Sequence, residues 1–176
     1  MAECVSLVGT KEDKVMTCLR AAGWYEGRCV DITAVKDFYK AFGIELPAGA
    51  EKFLREYYGL ADSWYINHDG RNRSCDIEFT LYPTRNCSEK YYRQETETEE
   101  SAEFLERAEK FAGEPLVWIG EIGYYYAANV YMGSSDRIYT THDHNDKVNC
   151  YGSVPELLAD EFAHADKWET VCVDRR

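Results

Sequence analysis

Basic residues are scarce in this chain: 20 Lys and Arg stand against 32 Asp and Glu over 176 residues, a formal charge of −12. A protein with so few cations is a poor direct ligand for nucleic acid or anionic lipid, since both are recognised through a Lys/Arg footprint. The charge suits a basic partner, or serves solubility. No apolar run approaches the roughly 20 residues of a membrane span. Met1-Ala2-Glu3-Cys4-Val5 carries an acid and no basic stretch, unlike a secretory signal. No Cys-x-x-Cys occurs among the seven cysteines (Cys4, Cys18, Cys29, Cys75, Cys87, Cys150, Cys172). With no export signal, the expectation is reduced thiols in a cytoplasmic protein, with Cys18, Cys75 and Cys150 at patterned core positions. There is no Gly-rich phosphate loop either: Gly120-Glu121-Ile122-Gly123 lacks the further glycine and following helix of a dinucleotide site. Repeats, low-complexity tracts and Pro/Gly linkers are absent, so the reading is one domain over 1–176.

What is present is an orderly change of periodicity. Thr10-Lys11-Glu12-Asp13 has the form of a capping box, followed by Val15, Cys18, Leu19 and Ala22 on one helical stripe and by Gly23 as a stop. Asp31 can cap a second helix with Ile32, Val35, Phe38, Tyr39 and Phe42 inward. Pro47 suits the first turn of a third, with Ala50, Phe53, Leu54 and Tyr57 inward and Gly59 at its end. The period then falls to two: Cys75, Ile77, Phe79 and Leu81 alternate with polar residues, and Trp64–Asn67 is the strand paired with them across Asp69-Gly70-Arg71-Asn72. Thr98–Ala112 returns to helix with Phe104, Leu105, Ala108 and Phe111 inward. Short strands follow at Pro115–Ile122, Tyr126–Met132, Arg137–Thr141 and Lys147–Tyr151. Ser153-Val154-Pro155-Glu156 opens a last helix with Leu157, Leu158 and Phe162 inward. Strands in consecutive runs with helices grouped elsewhere predict an α+β fold: a mainly antiparallel sheet of about five to six strands, an N-terminal three-helix segment and a C-terminal helix.

Four features could carry chemistry or contact. His142-Asp143-His144-Asn145-Asp146 has the residue types of a metal site, or of a polar turn. The cysteines lack any catalytic signature, and a negative field raises thiol pKa. Seven glutamates crowd Glu95–Glu109, as helix punctuation and solvated face or as an electronegative patch. The aromatic excess, 14 Tyr, 7 Phe and 4 Trp, includes the runs Tyr57-Tyr58, Tyr91-Tyr92 and Tyr124-Tyr125-Tyr126. Tyrosine among acids is the composition of a protein–protein interface or of edge-strand packing.

Four segments, in order, carry a resemblance. Ala22-Gly23-Trp24-Tyr25-Glu26-Gly27-Arg28-Cys29-Val30-Asp31 resembles the opening motif of a third subgroup of the SUKH superfamily, the Syd-like bacterial immunity proteins of polymorphic toxin systems. Phe53–Leu60 resembles its second element and Pro115–Glu121 its central strand. Asp136-Arg137-Ile138-Tyr139 with Tyr151–Leu158 resembles its ending. Asp136 stands where that group has Gly, and Leu157 where Ala is usual. The resemblance implies a helix-flanked sheet, no enzymatic activity, no cofactor, and binding of a cognate toxin domain, often a nuclease. Its motif residues Gly23, Trp24, Arg28, Asp31, Gly59, Gly120, Tyr139 and Gly152 read as structural: Trp24 plugging between the first two helices, Arg28 and Asp31 pairing or capping their connection. Glu121 is awkward in an apolar strand and must be paired, exposed at an edge or functional. The expected partner surface comprises Trp64, Tyr65, Glu121, Tyr124, Tyr125, Tyr131, Asp143 and Asp146. Residues 1–60 are nearly neutral, so a basic toxin, a nuclease in particular, is expected to meet the sheet-bearing remainder. The rival readings are a regulatory or scaffold module and a metal-dependent or thiol enzyme built on His142–Asp146 or a cysteine.

Overall fold

The computed structural model describes residues 3–68, 73–84, 89–123, 127–162 and 164–173, without the side chains of 3, 68 and 73–75. Its centre is an eight-stranded sheet in the order β1-β8-β2-β3-β4-β5-β6-β7, antiparallel at every pairing. The strands are β1 (Glu3–Ser6), β2 (Ser63–His68), β3 (Arg73–Leu81), β4 (Val117–Gly123), β5 (Ala128–Met132), β6 (Ile138–Thr141), β7 (Val148–Tyr151) and β8 (Trp168–Val173). The helices are α1 (Lys11–Ala22), α2 (Thr33–Lys40), α3 (Ala48–Tyr57), α4 (Glu89–Thr96), α5 (Glu99–Ala112) and α6 (Val154–Glu161).

Local signals place most of these elements. Thr10 and Asp13 form the reciprocal capping box of α1, and Gly23 ends that helix at φ +108. Pro47 is the residue before α3, one position earlier than its first turn. Ser153 caps α6 by accepting from the Glu156 amide, while the Glu156 carboxylate reaches the Gly152 amide instead of closing the box.

The sheet has more strands than expected because β1 and β8 join it from the two ends of the chain. Neither short segment shows a clean alternation with a turn beside it. Helix α4 was likewise not signalled, since it buries only Tyr92 and has no apolar stripe. The predicted pairing of β2 with β3 is present in register, Trp64 opposite Ile77 and Ile66 opposite Cys75. The predicted turn at 69–72, Cys87 and the Cys75 side chain lie outside the described residues.

The thiol expectation is overturned for two cysteines: Cys4 and Cys172, 168 positions apart, form a disulfide across β1 and β8. Only the strand pairing brings them together. Cys18 is buried as expected, and burial pushes its thiol up to about 12. Cys150 is exposed, not core, because β7 is an edge strand and Cys150 points away from α6. Phe111 is also exposed, at 58%, although it keeps the helical spacing; it lies at the last turn of α5 with its ring edge-on to Tyr139.

Pleating divides the sheet into two faces. Trp64, Ile66, Ile77, Phe79, Ile122, Val130, Val171 and Val173 share one, and all are buried. Helices α1 and α6 pack there against β8, β4 and β7 and against each other. On the opposite face α5 covers β6 and β7. Among the described residues no helix covers the β1-β8-β2-β3 end of that face, where Tyr65, Asp76 and Glu78 are exposed.

Candidate protein-binding face

Register fixes what lies on the open face. Cys4 sits opposite Cys172, Cys172 opposite Tyr65, and Tyr65 opposite Asp76. Further along, Thr80 pairs with Glu121, Glu121 with Asn129, and Asn129 with Thr141. Tyr65, Asp76 and Glu78 are exposed, whereas their sequence neighbours Trp64, Ile77 and Phe79 are core. The open face is therefore polar, acidic and partly aromatic.

Glu121 is the half-buried centre of this face. Tyr82 donates its hydroxyl to Glu121 Oε2 at 3.2 Å, which answers the demand that an acid in an apolar strand be paired. Burial pushes the Glu121 carboxyl above its ordinary range, and the nearby charges of Glu78, Glu95 and Asp143 push it the same way. Tyr82, deprived of solvent beside that carboxylate, is raised in turn. Tyr82 also packs its ring 4.6 Å from Trp118, and Tyr91, 42% exposed, stands at 6.5 Å from it. Below this layer Tyr39 and Tyr92 both donate to the Trp118 carbonyl, tying α2 and α4 to β4. Gly120 sets the spacing: a Cβ there would lie 2.1 Å from the Thr80 carbonyl oxygen.

The expected contact residues separate into groups. Tyr65, Glu121 and Asp143 belong to the open face and its rim. Trp64 and Tyr131 do not: they are 1% and 3% exposed and belong to the core, so neither offers a ring to a partner. Trp64 points to the helix side and donates to the Ala61 carbonyl, and Tyr131 lies opposite Tyr139 on the face where α5 packs against β6. Asp146 is exposed but turned to α5, 3.3 Å from Arg107. Tyr124 and Tyr125 lie outside the described residues. Residues missed by sequence reasoning are Asp76, Glu78, Tyr82 and Tyr91. The polar phase of the β3 alternation was the signal for Asp76 and Glu78.

The motif residues have structural work. Arg28 donates to the carbonyls of Glu56 and Tyr58 and caps the C-terminus of α3, and Trp24 donates to the Glu56 carboxylate at 3.0 Å. Trp24 and Arg28 thus bind the connection after α1 to α3, and the half-buried Trp24 ring packs against the core. Arg28 does not pair with Asp31, which accepts from the Thr33 amide at the start of α2. Gly59 turns the chain at φ +74 beside Arg28. Tyr139 is buried, and Gly152 holds the Glu156 carboxylate. Asp136 meets Lys52 of α3 across the β5–β6 turn.

The histidine segment assembles no group able to hold a metal ion among the described residues. His142 instead meets Glu161 at the end of α6, and His144 tilts against its ring. No helix among the described residues is long and apolar enough to cross a membrane.

No curated protein and no solved structure matches the chain. A family model does: the one described as SUKH-3 immunity protein aligns with residues 11–153. That span runs from the first turn of α1 to the cap of α6 and includes β2 to β7, so the chain belongs to the SUKH-3 immunity protein family.

Proposed function

We propose that this protein neutralises a cognate toxin domain by covering it, without chemistry of its own, and that the open sheet face makes the contact. The reading is supported above all by the placement of Glu121, a half-buried carboxylate held between Tyr82 and the charges of Glu78, Glu95 and Asp143. Four acids crowded around one strand position are unfavourable to the isolated protein and favourable to a complex with a cation. Tyr65 and Tyr91 add large, rigid contact area with polar tips. A basic toxin, such as a nuclease that binds phosphate backbones, is the matching partner, met in the cytoplasm.

The test is co-expression with the toxin domain encoded beside this gene. Rescue of growth is expected, together with submicromolar binding that weakens with salt. A growth block that persists despite soluble, folded protein, with no binding below about 10 μM, would overturn it.

A further inference from the structure

The Cys4–Cys172 bond lies at the outermost pair of strands. Cys4 is exposed and Cys172 half-buried, both on the open face, in one cross-strand row with Tyr65 and Asp76. Strand β1 has only four register pairs, and its partner β8 is otherwise held by β2. Ser6 and Cys4 face outward, and Val5 is half-buried. Directly after β1 the chain is anchored again: Leu7 is 5% exposed and donates to the Glu169 carbonyl, and Thr10 and Asp13 lock the start of α1. Among the described side chains of residues 4–6 only the half-buried Val5 packs against the core, and the anchor at Leu7 limits how far a detached strand could peel.

We propose that Cys4–Cys172 is a thiol–disulfide exchange site that takes a dithiol reductant and whose reduction releases β1 from the sheet. A reductant thiolate attacks the accessible Sγ of Cys4. That forms a mixed disulfide and expels the Cys172 thiolate, which takes up a proton. The second reductant thiol attacks the mixed disulfide, leaves as oxidised disulfide and returns Cys4 as a thiol; two electrons pass from the reductant to the cystine. Residues 3–6 then detach, and Thr170–Val173 become the new sheet edge, with unpaired backbone groups next to the row that carries Tyr65. The proposal does not rest on the toxin-binding reading and stands or falls separately from it.

The experiment uses the full chain. Accessible thiols are blocked with N-ethylmaleimide, dithiothreitol is added under native conditions, and newly formed thiols are trapped with iodoacetamide. Two new adducts are expected, on Cys4 and Cys172, at a rate proportional to dithiothreitol concentration. Hydrogen exchange of the reduced protein should quicken at least tenfold in 3–6 and 170–173 and stay unchanged in β3 to β6. The Cys4→Ser/Cys172→Ser variant should reproduce that map with an intact fold. The proposal is overturned by a reduction rate that saturates with reductant, which means global unfolding must come first. Unchanged exchange after reduction, loss of protection throughout, an unfolded double variant, or Cys4 and Cys172 both alkylated in air-oxidised protein before any reductant is added would overturn it equally.

Discussion

His142 Nε2 lies 3.1 Å from Glu161 Oε1, with both side chains largely buried, and this pair joins the end of β6 to the end of α6. The same carboxylate accepts from Tyr151, and Tyr151 also donates to Asp160 at 2.7 Å. The hydrogen bond to Glu161 raises the His142 pKa above 6.5 against the opposing effect of burial, and Glu161, Asp143 and Asp160 add to the rise. A folded-state pKa above the unfolded one makes the pair's contribution complete below about pH 6.5 and lost as pH climbs through the folded value. His142→Ala should therefore cost about 2 kcal/mol, or about 5 °C, at about pH 6 and progressively less in alkali. Thermal melts of both proteins from about pH 5 to 9 check it; a constant gap across that range would refute the linkage.

Glu121 has the opposite chemistry and the same sign. Its raised pKa means that ionisation at neutral pH works against the fold, so its stability penalty grows as pH rises through the carboxylate range. Glu121→Gln keeps an acceptor for Tyr82 and removes the repulsion with Glu78, Glu95 and Asp143. The variant should be more stable by about 1 kcal/mol at pH 7, a gain of about 3 °C. That gain should vanish near pH 4. If the open face is the contact surface, the same variant should bind toxin at least tenfold more weakly. Stability and affinity moving in opposite directions is the outcome a merely structural role would not produce.

The parts of the fold written in local chemistry were legible in the sequence. Caps at Thr10 and Ser153, stops at Gly23 and Gly59, and the alternation from Cys75 to Leu81 are decided by neighbours within a few positions. The terminal strands were not, because Cys4 and Cys172 lie 168 positions apart and meet only through the β1–β8 ladder. The site followed the same division. Glu121 stood out because a charge in an apolar strand needs an explanation, whereas Trp64 was misplaced because alternation fixes two faces without saying which one the helices cover.

Gly120 is held by space and not by conformation. An added Cβ would strike the Thr80 carbonyl at 2.1 Å, in the ladder between β3 and β4. Gly120→Ala should cost about 3 kcal/mol through displaced strands. Gly27, at φ +78 with nothing within 4 Å, should cost only about 1 kcal/mol when changed to Ala. Urea unfolding of the two variants ranks the effects, and equal costs would show that the strands yield.

Arg28 is a positioning residue for the C-terminus of α3, where it donates from Nη1 to the Glu56 carbonyl and from Nη2 to the Tyr58 carbonyl. A lysine carries the charge without the fork, so Arg28→Lys should recover less than half of the roughly 2 kcal/mol lost in Arg28→Ala. Toxin affinity per folded molecule should be unchanged in both, because this joint lies away from the open face. Chemical denaturation beside a titration of active protein separates the two quantities.

If the toxin is basic, two acidic surfaces compete for it: the open face with Asp76, Glu78 and Asp143, and the exposed side of α5 with Glu99, Glu100 and Glu103. Three carboxylates are replaced on each, so the charge removed cannot discriminate between them. Asp76→Asn/Glu78→Gln/Asp143→Asn and Glu99→Gln/Glu100→Gln/Glu103→Gln remove equal charge from different places. Long-range steering falls alike in both variants, since it follows the summed field, and both should associate a few-fold more slowly at low salt. Short-range pairing is lost only where the partner sits, and that loss appears in dissociation. The open-face variant should dissociate at least tenfold faster and the α5 variant at the parent rate, measured by surface-immobilised toxin at about 0.15 M salt. The reverse ranking would move the interface to α5.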